Sequence, residues 1–178
     1  MQIEIFTNGS GTTADRVNVE SVDEFFKGGF LSIKDLSEKL SSYGDISIHI
    51  LSKKYGYLQG SDPISELNVV EGTSAKDTQR FSDMISKASR TADVVIILLT
   101  KSVFEGTVSD QWKRLISQAR RDSIWCIGAS GNAVSSIDFE ELRTKSTSVI
   151  VYERVGVARI STETKKELIE AVKQVSTN

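Results

Sequence analysis

The chain has 178 residues, of which 39% are apolar and 26% are charged, and its formal net charge is −2. The apolar and charged fractions are ordinary for a soluble globular protein. The length suits one core, so we expect a single α/β domain over residues 1–178. The near-neutral charge excludes a uniformly basic protein, so nucleic-acid binding would need a local basic patch.

Cysteine and histidine counts narrow the chemistry further. The single cysteine, Cys126, excludes an internal disulfide and indicates a reducing compartment. The N-terminus has no signal-peptide pattern, and the longest apolar run, Val94–Leu99, is too short to cross a membrane. We therefore expect a cytoplasmic protein with no membrane contact. One His and one Cys cannot form a zinc cluster, and nucleotide-binding signatures are absent, so no metal or cofactor is predicted.

Five short, continuous apolar runs have the character of strands that are covered on both faces. These runs are Ile3–Phe6, Ile46–Leu51, Val94–Leu99, Ile124–Ile127 and Val149–Val151. Between them, apolar residues recur at helical spacing, in stripes that begin at Ile33, Phe81, Trp112 and Leu168. The alternation predicts a doubly wound, mainly parallel sheet of about five strands with helices on both faces.

In such a sheet, ligands bind outside the carboxyl ends of the strands, which selects the loops that follow each strand. The loop after the first strand contains Asn8, Gly9 and Ser10. Its glycine and hydroxyl groups would let a phosphate or a base approach the backbone closely. A flexible surface turn would explain the same residues equally well.

The Ser52–Glu66 loop follows the second strand and is the richest in candidate groups. Lys53 and Lys54 could hold phosphates, while Tyr55 or Tyr57 could stack on a base. Three carboxylates are candidates for activating water: Asp62 first, then Asp15 and Glu66. The structural alternative is that Tyr55 packs beneath the loop and the lysines are merely solvated.

Two later loops and one helix face complete the candidates. Asn132, in the loop Gly128–Asn132, could bind a base edge, although a plain turn is an alternative. The Thr100–Gly106 loop offers Lys101 and Glu105. A basic stripe at helical spacing could bind a phosphate backbone, or could simply be a solvated face. Its members are Lys113, Arg114, Arg120 and Arg121.

The stretch Ile50-Leu-Ser-Lys-Lys-Tyr-Gly-Tyr-Leu58 resembles the "LSAKYGLL" signature of the YaaA-like peroxide-stress family and its relatives. Lys54, Tyr55 and Gly56 match that signature directly. The resemblance implies DNA binding and protection against oxidative damage. It also implies an α/β architecture similar to that of uracil-DNA glycosylases, some relatives of which remove modified bases in phage defence. The chain lacks the His-Pro-Ser segment of uracil-specific glycosylases, so uracil itself is not indicated as the base.

Three functions are compatible with these features. The first is a DNA glycosylase-like hydrolase that cleaves the N-glycosidic bond of a damaged or modified base flipped from duplex DNA, in repair or phage defence. In it, Asp62, Asp15 or Glu66 would orient water or stabilise the positive sugar, and the basic side chains would bind phosphates. The second is a non-catalytic DNA-binding stress-protection protein. The third is a nucleotide enzyme or sensor similar to nucleoside deoxyribosyltransferases, with a closed pocket at the glycine loops. The sequence leaves the oligomeric state open.

Overall fold

The computed structural model describes residues 1–154 and 160–177 of the chain. Strands and helices alternate along it as the sequence predicts. The strands are β1 (Gln2–Asn8), β2 (Asp45–Ser52), β3 (Gly56–Gln59), β4 (Val94–Leu98), β5 (Ile124–Ser130) and β6 (Ser148–Arg154). The helices are α1 (Val22–Phe25), α2 (Leu31–Leu40), α3 (Ala75–Thr91), α4 (Lys101–Thr107), α5 (Trp112–Ser117), α6 (Gly131–Val134), α7 (Glu140–Lys145) and α8 (Thr162–Ser176).

The six strands form one sheet in the order β3-β2-β1-β4-β5-β6. Strands β1, β2, β4, β5 and β6 are parallel to one another, and only β3 runs antiparallel, to β2. The prediction of a doubly wound, mainly parallel α/β fold is confirmed. The sheet grows outward from β1 on one side and then on the other, so β1 and β4 mark the point where the strand order reverses.

Strand β3 was not expected, because it lies inside the Ser52–Glu66 segment that we interpreted as a loop. Its apolar run is only two residues long, but the chain reverses tightly after β2 and pairs Tyr57 with Leu51 and Leu58 with Ile50. Successive side chains of a strand point to opposite faces, so Tyr57 and Leu58 enter different halves of the core. The pairing with β2 therefore stabilises a strand that has no clear signal of its own.

The core lies on both faces of the sheet. One face packs against α3, α4 and α5 through Phe81, Phe104 and Leu115. The other packs against α2 and α8 through Ile33 and Leu168. Burial on both faces explains why the central strands are uninterrupted apolar runs. Within residues 1–154 and 160–177, no helix has the length and apolar character that crossing a bilayer requires.

Candidate functional site

The carboxyl end of β1 lies at the point where the strand order of the sheet reverses. Asn8 is the last residue of β1 and pairs with Leu51 of β2. On the other side, its side-chain Oδ1 accepts a hydrogen bond of 2.7 Å from the backbone N–H of Thr100, which follows β4. Asn8 thus joins the two halves of the sheet at the position where open α/β sheets usually bind ligands.

Two small cavities, one on each face of the sheet, share Asn8 in their linings. The larger has a volume of about 140 Å³ and the smaller about 60 Å³. The larger is lined by Asn8, Leu51, Lys53, Thr73, Thr78, Ser102, Val103, Gly106 and Thr107. The smaller is lined by Thr7, Asn8, Gly9, Ser10, Gly29, Phe30, Ile33 and Thr100. We call the two together the Asn8 crevice.

The lining of the Asn8 crevice has a simple chemistry. It consists of hydroxyl groups, one amide, small or apolar side chains and a single charged residue, Lys53. In the part of the chain that the structure describes, no carboxylate lines either cavity. Hydroxyls, amide N–H groups and a lysine can all donate hydrogen bonds to anionic oxygens. The crevice is therefore suited to a small anion such as a phosphate group.

The loop after β1 is packed firmly at the mouth of the crevice. The Gly9 N–H donates to the Leu51 carbonyl at 3.1 Å. A Cβ at Gly9 would lie 3.0 Å from both the Phe26 ring and the Ser52 Cβ, so the glycine permits close packing there. The Ser10 hydroxyl accepts from the Thr12 N–H at 3.1 Å. Asn8, Gly9, Ser10 and Lys53 are therefore the predicted site residues that the structure brings together.

Neither of the predicted stacking tyrosines is available to a base. Tyr55 is 8% exposed and its ring packs edge-on against Phe25, 5.6 Å between ring centroids. The ammonium group of Lys54 lies 5.5 Å from the centroid of the same tyrosine ring. Tyr57 is 7% exposed and enters the opposite face of the sheet. The stacking role expected for these tyrosines is corrected to one of packing, as in the structural alternative for Tyr55.

Tyr57 ends a buried polar chain that crosses three strands. Its hydroxyl lies 2.8 Å from Nδ1 of His49, and Nε2 of the same imidazole lies 2.7 Å from Oε2 of Glu4. The Arg80 guanidinium lies 4.8 Å from the centroid of the tyrosine ring. Burial raises the pKa of Tyr57 to about 12, against the opposing effect of Arg80. His49 is thus a structural histidine, with both ring nitrogens occupied.

The three candidate catalytic carboxylates lie outside the crevice. Asp62 accepts a hydrogen bond of 2.7 Å from the Gln59 N–H and closes the turn after β3. Because β3 runs antiparallel to β2, it carries the chain back from the carboxyl edge of the sheet, and this turn lies away from that edge. The Gly60 N–H donates to the Ile48 carbonyl. Ile48 lies three residues before Leu51, the β2 residue that pairs with Asn8, so the turn is about 10 Å away from Asn8 along β2.

Asp15 and Glu66 also lie in exposed turns and do not line the crevice. Asp15 is exposed and caps the 3₁₀ turn Arg16–Asn18 by accepting from the Val17 N–H at 3.3 Å. Glu66 is exposed at the end of the 3₁₀ turn Ile64–Glu66. None of the three carboxylates therefore lines the Asn8 crevice, and their catalytic role stays a prediction.

The other predicted ligand contacts are dispersed. Asn132 is exposed in α6 and lines neither cavity, and Gly128 belongs to β5, where the Tyr152 ring covers the position of a Cβ. Lys101 and Glu105 lie on the exposed side of α4, with their charged groups 3.8 Å apart. The polar residues that this segment contributes to the lining of the crevice are its hydroxyls, Thr100 and Ser102.

The predicted basic stripe is not continuous. Helix α5 ends at Ser117, so Arg120 and Arg121 lie beyond it in the connection to β5. Arg120 forms an ion pair of 2.8 Å with Asp93, which precedes β4 at the amino edge of the sheet. Lys113 and Arg114 stay on α5, where Arg114 donates to the Gln111 side chain at 2.6 Å. The four basic residues therefore do not form one continuous helix face.

Sequence reasoning missed most of the hydroxyl lining. Thr100 and Ser102 follow a buried strand, so the strand-end rule selects their loop, but we singled out its charged residues instead. Thr73 and Thr78 lie more than twenty residues beyond the end of β2, at the N-terminal end of α3, and no local pattern indicates that they approach Lys53. The Thr73 hydroxyl donates to the Ser52 carbonyl at 3.3 Å, which brings that segment to the crevice.

No protein-family model matches the chain, and no curated protein shows significant similarity to it.

Proposed function

We propose that the protein binds a nucleotide through a phosphate group in the Asn8 crevice. One observation carries this proposal: at the reversal point of the sheet, the two cavities are lined by hydroxyls, an amide and one lysine. Of the three functions compatible with the sequence, this composition supports best the nucleotide enzyme or sensor similar to nucleoside deoxyribosyltransferases. Such a protein needs a pocket at the glycine loop but no extended basic surface.

Calorimetric titration tests this proposal directly. The ligands are the four deoxynucleoside 5′-monophosphates and a duplex DNA, each at low and at moderate salt. We expect mononucleotide binding to change little between about 50 and about 200 mM salt, because few counterions are released. Duplex binding that is tight and weakens by orders of magnitude over the same range, with no mononucleotide binding, would contradict the proposal.

A DNA glycosylase-like hydrolase is the second candidate, and the pair Lys53 and Lys54 favours it. Both side chains are exposed, and Lys53 lines the larger cavity, so a DNA backbone could pass the mouth while a flipped base enters. Because the carboxylates lie elsewhere, Asn8 is the side chain that would orient the attacking water in this mechanism. The resemblance of the Ile50–Leu58 stretch to the YaaA-like signature adds to this candidate.

An abasic-site assay distinguishes the second candidate. The protein is incubated with genomic DNA, including phage DNA with modified cytosines, and strand breaks are counted after alkaline cleavage. A glycosylase that uses Asn8 produces breaks that are lost in Asn8→Ala and retained in Asp62→Ala. Salt-sensitive DNA binding without any breaks would instead indicate the non-catalytic DNA-binding stress protein.

A further inference from the structure

The orientation of the Asn8 side chain is fixed by its partner. Thr100 offers a backbone N–H, which only an acceptor can satisfy, so the atom 2.7 Å away must be the amide oxygen. The Nδ2 group of the same amide then points away from Thr100. In the part of the chain that the structure describes, it donates to no protein atom. Asn8 therefore presents two N–H donors where the two cavities share its side chain, while its oxygen is engaged by Thr100.

The charge of the crevice lining limits which phosphorylated ligand can bind to the Asn8 donor. Lys53 supplies one positive charge in a cavity of about 140 Å³. A nucleoside triphosphate carries several negative charges, which proteins usually neutralise with several basic groups and with Mg²⁺ held by a carboxylate. The lining holds one lysine and, within residues 1–154 and 160–177, no carboxylate. One lysine offsets a large part of the charge of a phosphate monoester, about −1.5 to −2 at pH 7, but only a small part of the charge of a triphosphate.

We propose that Asn8 determines ligand specificity by donating from Nδ2 to an oxygen of a phosphate monoester, whose charge Lys53 partly offsets in the larger cavity. This inference rests on the proposed nucleotide binding and names its substrate class: nucleoside monophosphates rather than free nucleosides or triphosphates. The smaller cavity, lined by Gly9, Ser10 and Phe30, lies on the other side of Asn8 and is open to part of the ligand that adjoins the phosphate.

The decisive variant is Asn8→Asp. An aspartate retains an oxygen that accepts from the Thr100 N–H, so the link between the sheet halves is kept. It loses both Nδ2 donors and adds a negative charge beside the phosphate. We expect its affinity for deoxynucleoside monophosphates to fall by about 10- to 100-fold, as for a lost hydrogen bond to a charged group. Its melting temperature should remain close to that of the parent protein.

Lys53→Ala and Lys54→Ala form a matched pair. Both lysines are exposed neighbours, but only Lys53 lines the cavity. We expect Lys53→Ala to weaken monophosphate binding by about tenfold and Lys54→Ala to leave it unchanged. The parent protein should bind the matching nucleoside and triphosphate, the latter with and without Mg²⁺, about tenfold more weakly than the monophosphate.

These measurements distinguish failure of the inference from failure of the proposed function. Tighter binding of the triphosphate, or unchanged monophosphate binding by a folded Asn8→Asp protein, overturns the inference while leaving nucleotide binding intact. The absence of binding by every nucleotide tested overturns both the inference and the proposed function.

Discussion

The hydroxyl of Tyr57 and Nδ1 of His49 lie 2.8 Å apart, although the two residues belong to antiparallel strands. Because Glu4 occupies the other imidazole nitrogen, the three side chains tie β1, β2 and β3 together beneath α3. The tyrosine that the sequence offered as a stacking platform is thus an internal support of the sheet edge. Because Tyr57 is buried, we expect the stability of the folded protein to decrease at alkaline pH.

We predict that the free energy of unfolding falls between pH 10 and pH 12. Burial raises the pKa of Tyr57 in the folded protein to about 12 from its ordinary value of 10.0. Above pH 10 the unfolded chain loses this proton first, so stability decreases until the folded pKa is passed. The loss from this group is about 2–3 kcal/mol. Urea unfolding across this range in Tyr57→Phe should show a smaller loss, while Tyr43→Phe serves as the control. An unchanged pH dependence in Tyr57→Phe would contradict the assignment.

We predict that the Cys126 thiol does not react with a disulfide reagent in the native state. The side chain is fully buried in β5, and burial raises its pKa to about 12. Since the thiolate is the reactive form, modification requires unfolding. The labelling rate should follow the fraction unfolded as urea is added. Fast labelling without denaturant would show that β5 opens locally.

We predict that Gly56→Ala is more destabilising than Gly72→Ala. Both glycines have positive φ, +74° and +78°, so alanine is strained at each, at a cost of about 1 kcal/mol. At Gly56 a Cβ would also lie 2.9 Å from the Asp77 carboxylate, whereas nothing lies within 4 Å at Gly72. Urea unfolding of both variants measures the difference, and equal losses would show that Asp77 moves aside freely.

We predict that Asp62→Ala lowers stability by about 1 kcal/mol and leaves ligand binding and any base excision unchanged. The substitution removes the acceptor of the Gln59 N–H in the turn after β3, away from the Asn8 crevice. The exposed neighbour Ser61→Ala is the matched control. A loss of activity in an Asp62→Ala protein of normal stability would restore the catalytic role first expected for this carboxylate.

The strand-end rule accounts for the part of the candidate site that the sequence could predict. Asn8 ends the buried strand β1, Gly9 and Ser10 follow it, and Lys53 follows β2. All four line the crevice. The position of each residue relative to a predicted strand was enough to locate them, because the loops that follow parallel strands lie at the same edge of the sheet. The same continuity of apolar runs made the doubly wound fold predictable.

The positions of the other predicted site residues depend on long-range contacts, which a local sequence pattern does not reveal. The buried Tyr57 hydroxyl has His49 as its polar partner, and His49 in turn contacts Glu4, which is far away in sequence. Asp62 is carried away from the site by β3, whose two apolar residues gave no strand signal. Arg120 was assigned to a helix that in fact ends at Ser117.

The strand order also has a consequence during synthesis on the ribosome. β1, β2 and β3 are complete within the first 59 residues and are neighbours in the sheet. The second edge of β1 has no partner until β4 emerges, 35 residues after the end of β3. For that interval the nascent chain exposes an unpaired, strongly apolar strand edge, a template for intermolecular pairing. Translation pauses in the α3 segment would lengthen this interval and promote aggregation of the nascent chain.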